Sequence, residues 1–336
     1  MKPTDFAMRL TNFLGQYLPS QKNVSPNTVK AYRDAFTVLL RYCRDEQKVQ
    51  PEKITLDALN ASLVLNFLSH VETGRNCCTR TRNHRLSVLH AFFRYLQTEV
   101  PERMMQWQQI LAIPFQRCSR PIVNYLSTDE VAEILRQPDL ATGYGRRDAV
   151  LLSLLYDSGA RVQELVDLSV RDVRLESPAQ IRLTGKGRKT RVVPLLPDAV
   201  DLLAQYMREH CLGSPECMDS ALFFNRKGER LSRSGVRFLL AKYVGVARKA
   251  RPCLPGRITP HTMRHSKAMH LLQAGNPATV IQAILGHADI RSIDIYAKAD
   301  LQMKRRALEK TAKTAPLLTL PFWQNDKGLM DWLRTL

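Results

Sequence analysis

Residues 157–194 read DSGARVQELVDLSVRDVRLESPAQIRLTGKGRKTRVVP, and the spacing of apolar residues changes within them. Up to Leu168 the pattern is helical, with helices expected near 144–159 and 161–168. Three short runs follow, at 170–175, 180–184 and 191–194, and Gly185-Lys186-Gly187 supplies a turn between the last two. This is the one convincing β region in the chain. The expected fold is mostly α, with a small antiparallel β-sheet.

Outward from that region the chain reads as helices. Ser25-Pro26 is a start signal, an N-cap followed by proline in the first turn. After it Val29, Tyr32, Phe36, Leu39, Leu40 and Cys43 recur at helical spacing. Thr79–Glu99 is a second long segment, with Leu86, Leu89, Phe93 and Leu96 on one face. Arg80, Arg82, Arg85 and Arg94 lie on the other, with His84 and His90 nearby, and no acid precedes Glu99. A solvated face usually mixes in acids, so this stripe is expected to face phosphates. Pro114 and Pro121 interrupt the helical pattern, and Ser127-Thr128-Asp129-Glu130 is a capping box that starts another helix. The domains expected are therefore 1–113, a linker at 114–126, a second domain at 127–312 and a tail at 313–336. The tail concentrates Leu317, Leu318, Leu320, Phe322, Trp323, Leu329, Met330, Trp332 and Leu333 at a chain end, where polar residues are more usual.

A length of 336 residues is enough for two domains, each with its own core. Against 31 acidic residues stand 50 Lys and Arg, a net charge of +19. Such an excess speaks of an anionic partner rather than of fold. No apolar run is long enough to span a bilayer, so nucleic acid leads over a membrane. Residues 1–125 hold 17 basic and 9 acidic residues and the remainder 33 and 22, so both domains are candidates for a two-domain DNA clamp. The start lacks a secretory pattern, and seven cysteines without zinc spacing suit reduced, structural thiols. The expected location is a bacterial cytoplasm, at the nucleoid.

Single residues that could carry chemistry are weak signals. Arg161 with Glu164 is an ordinary helical pair, and Lys186, followed by Arg188, Lys189 and Arg191, an ordinary hairpin tip. His261 and Arg264 sit one turn apart, as a capping histidine and a solvated arginine would. Leu285-Gly286-His287, nine residues before Tyr296, could be core packing. Together, and in this order, they are hard to explain so blandly.

The set resembles the tyrosine recombinase family, of the phage-integrase and Xer type. Its signature is Arg, a Lys in a β turn, His-x-x-Arg, His or Trp, and Tyr. The surrounding words match too: Asp157 to Leu165, Thr184-Gly185-Lys186-Gly187, His261-Thr262-Met263-Arg264-His265-Ser266 and Leu285-Gly286-His287. Six catalytic positions carry the expected types. Departures lie outside them, at Arg291-Ser292-Ile293-Asp294-Ile295, at Met263 and at Lys267-Ala268-Met269-His270.

The resemblance implies a helical core-binding (SAM-like) domain at 1–113 and a catalytic domain at 127–312. It implies double-stranded DNA with paired inverted core sites as partner, a homotetramer on that DNA, helper proteins in some systems, and no cofactor or metal. Tyr296 would be the nucleophile, attacking a phosphodiester to give a 3′-phosphotyrosine. Arg161 and Arg264 would hold the non-bridging oxygens in fork geometry, with His287 as another donor. Tyrosine has a pKa of about 10 and needs a base, and His261 titrates in the useful range. Lys186 would protonate the leaving 5′ oxygen, and Glu164 would orient Arg161. Arg80, Arg82, Arg85, Arg94, Arg188, Lys189 and Arg191 are the expected DNA contacts.

Strand swaps through a Holliday junction would integrate or excise a mobile element; the alternative is Xer-like resolution of chromosome or plasmid dimers. The tail is expected to dock on a neighbouring protomer. A type IB topoisomerase would share the chemistry but relax a single duplex. A DNA-binding regulator would have lost the catalytic set, and a hydrolytic nuclease would need metal ligands that the sequence does not group.

Overall fold

The computed structural model describes residues 2–118, 124–185, 187, 189–286, 331 and 333–334. The chain divides into two compact units, Met1–Pro121 and Ile122–Leu336.

The first unit is helical: α1 Asp5–Asn12, α2 Pro26–Asp45, α3 Ala61–Ser69, α4 Thr79–Glu99 and α5 Met104–Leu111. Local chemistry sets their starts. Ser25 accepts a hydrogen bond from the Thr28 amide with Pro26 in the first turn, and Asn60 accepts from Leu63. α4 lies at the centre. Leu86, Val88, Leu89, Phe92, Phe93, Tyr95 and Leu96 are all buried on it, a broader face than the four-residue stripe read from the sequence. Phe92 meets Phe13 at 5.2 Å and Phe36 at 5.1 Å between ring centroids, both edge to face. Arg9 on α1 clamps Glu99 at the far end of α4 at 2.6 Å.

The cationic stripe of α4 is narrower than expected. Arg80 and Arg94 are exposed and Arg85 half-buried, but Arg82 is 5% exposed. Its guanidinium donates to the Pro114 carbonyl at 3.3 Å and faces Glu72. Arg82 thus fastens the chain after α5 back onto α4. Asn83 holds the same segment through both the amide and the carbonyl of Gln116.

The second unit contains α6 Thr128–Leu135, α7 Gly143–Asp157, α8 Val162–Val166, α9 Pro197–Glu209, α10 Arg233–Ala250, α11 Pro260–Gln273 and α12 Ala278–Leu285. Ser127 and Glu130 form a reciprocal capping box at the start of α6. Its sheet is antiparallel in the order β1 (Val173–Arg174), β2 (Gln180–Thr184) and β3 (Thr190–Pro194). The first strand is shorter than the expected 170–175, because Ser169 and Asp172 cap a 3-10 turn there. Ile181 and Leu183 point into the core from β2, while Gln180, Arg182 and Thr184 face outward. α7 and α11 pack together, tied by a hydrogen bond of 2.7 Å between the Tyr156 hydroxyl and His270 Nδ1. A buried Arg147–Asp148 pair, with Tyr243 donating to Asp148 at 2.7 Å, locks α7 to α10. Among the described residues no helix is long and apolar enough to cross a membrane.

The two faces of α4 give separate predictions, one for stability and one for DNA affinity. Phe92→Ala should cost about 3–5 kcal/mol of stability in urea unfolding. Arg94→Ala should leave stability unchanged, weaken duplex DNA binding, and reduce the slope of log K against log salt by about 1. An unchanged salt slope would remove Arg94 from the DNA face.

Candidate active site

Arg161 is the N-cap of α8, just after the turn that ends α7. Ser158 shapes that turn, its hydroxyl donating to the Leu154 carbonyl and accepting from the Ala160 amide. Gly159 adopts a left-handed backbone with φ of 54°. A Cβ there would come within 2.3 Å of Leu285 Cδ2, so conformation and space both call for glycine.

Glu164 sits at the third residue of α8 with only 3% of its side chain exposed. Its Oε1 accepts from Arg161 Nη1 at 2.7 Å. Its Oε2 accepts from the Arg161 backbone amide at 2.9 Å and from Arg191 Nη2 at 2.8 Å. Burial pushes this carboxyl up, but the Arg191 and Arg161 hydrogen bonds outweigh it and hold it below the ordinary glutamate value.

Arg264 comes from the first turns of α11, started by Thr259 as N-cap with Pro260 behind it. It is 4% exposed. Nη1 donates to the Gly159 carbonyl, and Nη2 to the Leu285 carbonyl at 2.7 Å. α12 ends at Gly286, in the left-handed conformation with φ of 65°. Three consecutive carbonyls at this helix end each receive a guanidinium: Ile284 from Arg191 Nε at 2.8 Å, Leu285 from Arg264, and Gly286 from Arg161 Nη2 at 3.4 Å. A helix carboxyl end leaves such carbonyls without internal donors and carries partial negative charge. It therefore gathers arginines from three separate elements.

His261 stands one turn before Arg264, with its ring 6.5 Å from that of His265. Burial pushes its pKa down, and the charges of Arg264, Arg237 and Arg161 push it further. The ring is neutral at neutral pH, the form in which it can accept a proton. Arg237, exposed on α10, belongs to this electrostatic neighbourhood although nothing in its sequence context marks it.

The structure thus gathers Arg161, Glu164, His261 and Arg264. Of the expected DNA contacts on the hairpin, Lys189 is exposed, whereas Arg191 is turned inward onto Glu164 and Ile284 with a side chain 10% exposed. The buried carboxylate of Glu164 and the end of α12 take its guanidinium. Lys186, Arg188, His287 and Tyr296 lie outside the described residues, as does the tail apart from residues 331, 333 and 334. Among the described residues no group of three or more His, Cys, Asp and Glu could hold a metal ion.

Residues 124–303 match the model of the phage integrase family, and residues 11–99 that of the phage integrase N-terminal SAM-like domain. The chain therefore belongs to the phage integrase family, the tyrosine recombinases. Among its relatives is the integrase/recombinase y4rC of Sinorhizobium fredii, 37% identical over 93% of this chain and 93% of that one. Tyrosine recombinase XerC of Pelotomaculum thermopropionicum is 31% identical over 90% of this chain and 97% of its own. The fold is shared with the XerH site-specific recombinase bound to palindromic difH substrate in a post-cleavage complex. That likeness has a TM-score of 0.66 at 22% identity and covers 85% of this chain and 80% of the other.

The geometry of Glu164 gives a stability test with a defined sign. A carboxyl held below its ordinary pKa contributes stability above about pH 4.3, and that contribution is lost as pH falls through the lower folded value. Glu164→Gln should therefore lower unfolding free energy by about 1–3 kcal/mol at neutral pH. The gap to wild type should narrow in acid when urea unfolding is repeated down the pH scale. A gap that stayed constant would mean that the charge of Glu164 contributes nothing.

Proposed function

We propose that this chain is a site-specific DNA recombinase that breaks a strand by attack of Tyr296 on a phosphodiester. The observation that supports this most is the gathering of Arg161, His261 and Arg264 at the carboxyl end of α12. In sequence that helix leads directly to His287 and Tyr296.

The Tyr296 Oη–phosphorus bond forms as the bond to the 5′ oxygen breaks. The tyrosine proton passes to neutral His261, and Lys186 supplies a proton to the leaving oxygen. Arg161 and Arg264 hold the non-bridging oxygens, where charge builds in the transition state, and His287 adds a donor. These cations supply the positive charge that a metal would otherwise bring, so the reaction is metal-independent and needs no cofactor. A 3′-phosphotyrosine keeps the energy of the phosphodiester. A free 5′ hydroxyl from a second DNA then reverses the attack, and two rounds pass through a Holliday junction.

In this reading a homotetramer assembles on paired inverted core sites, with helper proteins in some settings. Residues 1–113 form the core-binding domain, 114–126 the linker, 127–312 the catalytic domain, and 313–336 a segment that docks on a neighbouring protomer. Arg80, Arg85, Arg94, Arg188 and Lys189 contact DNA, and Arg237 joins them beside His261. Integration or excision of a mobile element is the first reading of its role. The likeness to XerC, over nearly the whole chain, supports resolution of chromosome or plasmid dimers as the second.

A suicide substrate that traps the covalent intermediate tests this. Tyr296→Phe should retain DNA binding and give no adduct on a denaturing gel; a persistent adduct refutes the assignment. Lys186→Ala should cleave an ordinary site far more slowly, with much of the rate restored by a bridging 5′-thio substrate, whose sulfur leaves without protonation. Equal slowing on both substrates would make Lys186 a binding residue. The depressed pKa of His261 places the acid limb of the cleavage rate below about pH 6.5, the ordinary imidazole value.

A further inference from the structure

Arg191 is committed through two donors on one edge of its guanidinium. Nη2 donates to Glu164 Oε2 and Nε to the Ile284 carbonyl, each at 2.8 Å. Gly286 lies so close that a Cβ there would stand 2.9 Å from Arg191 Nη1. Along the sheet Arg191 pairs with Leu183, near the turn end of the hairpin. The side chain therefore joins β3, the Arg161–Glu164 turn and the carboxyl end of α12, which are far apart in sequence.

We propose that Arg191 is a positioning residue for strand cleavage, holding the carboxylate of Glu164 so that Arg161 is presented to the phosphate in a fixed orientation. This rests on the reading of Arg161 as a phosphate-binding residue. The two oxygens of Glu164 divide their work. Oε1 receives the Arg161 side chain, while Oε2 receives the Arg161 amide and Arg191. Without Arg191 a carboxylate with 3% of its side chain exposed keeps one backbone donor on Oε2 and no second charge. Its orientation is then under-determined, and with it that of Arg161 Nη1. Small misplacement of a group that stabilises a transition state slows chemistry far more than it weakens binding. Lysine cannot substitute fully, because a point ammonium cannot hold two coplanar donors at a fixed separation on Glu164 and Ile284 together.

The test compares Arg191→Met, Glu164→Gln and the double variant, all in the full-length chain. Readouts are single-turnover adduct formation on a suicide substrate, affinity for one core site, and thermal unfolding. Arg191→Met should slow adduct formation on the order of 100-fold while affinity stays within about twofold. The double variant should be no slower than the slower single variant, because both act through the same contact to Arg161. Arg191→Lys should recover part of the rate, and it carries the test if Arg191→Met does not fold. A wild-type rate in Arg191→Met, or in the lysine variant where that stands in, overturns the role. So does a double variant whose loss is the product of the two single losses. Parallel loss of affinity and cleavage would make Arg191 a merely structural residue and overturns it too. Failure of the wild-type chain itself to form an adduct refutes the recombinase reading, and the role of Arg191 falls with it.

Discussion

The carboxyl end of α12 is the point on which the site depends. Its last carbonyls lack partners within the helix and sit at the negative end of the helix dipole. Ile284, Leu285 and Gly286 each take a guanidinium, from β3, α11 and the α7–α8 turn respectively. Buried arginines need acceptors, and buried carbonyls need donors; each need satisfies the other. Two glycines make the approach possible. Gly159 leaves room for Leu285, and Gly286 turns the backbone away beside Arg191.

Bringing Arg161, Arg191 and Arg264 together carries an electrostatic cost, and Glu164 offsets it. One buried carboxylate serves two of the three guanidiniums, so the cluster remains net positive. That surplus is what a phosphodiester requires as it gains charge in the transition state. Burial, and after it the same field, pushes the pKa of His261 down.

Features set by near neighbours were legible in the sequence. The Ser25-Pro26 start and the Ser127–Glu130 capping box depend on residues within one turn, and both form as their spacing implies. The hairpin of β2 and β3 was visible from alternation and from Gly185. Arg161 and Glu164 were marked by their three-residue spacing. Arginine partners chosen by tertiary structure were not legible. Arg82 looked like its neighbours on a cationic face, yet the Pro114 carbonyl that takes it is 32 residues away. Arg191 looked like one more basic residue of the hairpin tip, and its acceptor at Ile284 is 93 residues on. Arg237 reaches the neighbourhood of His261 only through the fold of α10. Residue type gave the charge in each case, and packing decided what the charge met.

The proposed function joins this arrangement to phosphoryl transfer with Tyr296 as nucleophile. Its central claim is that the arginine cluster at the end of α12 serves attack by one particular hydroxyl. Mass spectrometry of the proteolysed covalent DNA adduct addresses this most directly. The account predicts a single modified peptide, with a nucleotide joined through its 3′ phosphate to Tyr296. Attachment at any other residue, or through a 5′ phosphate, would contradict it.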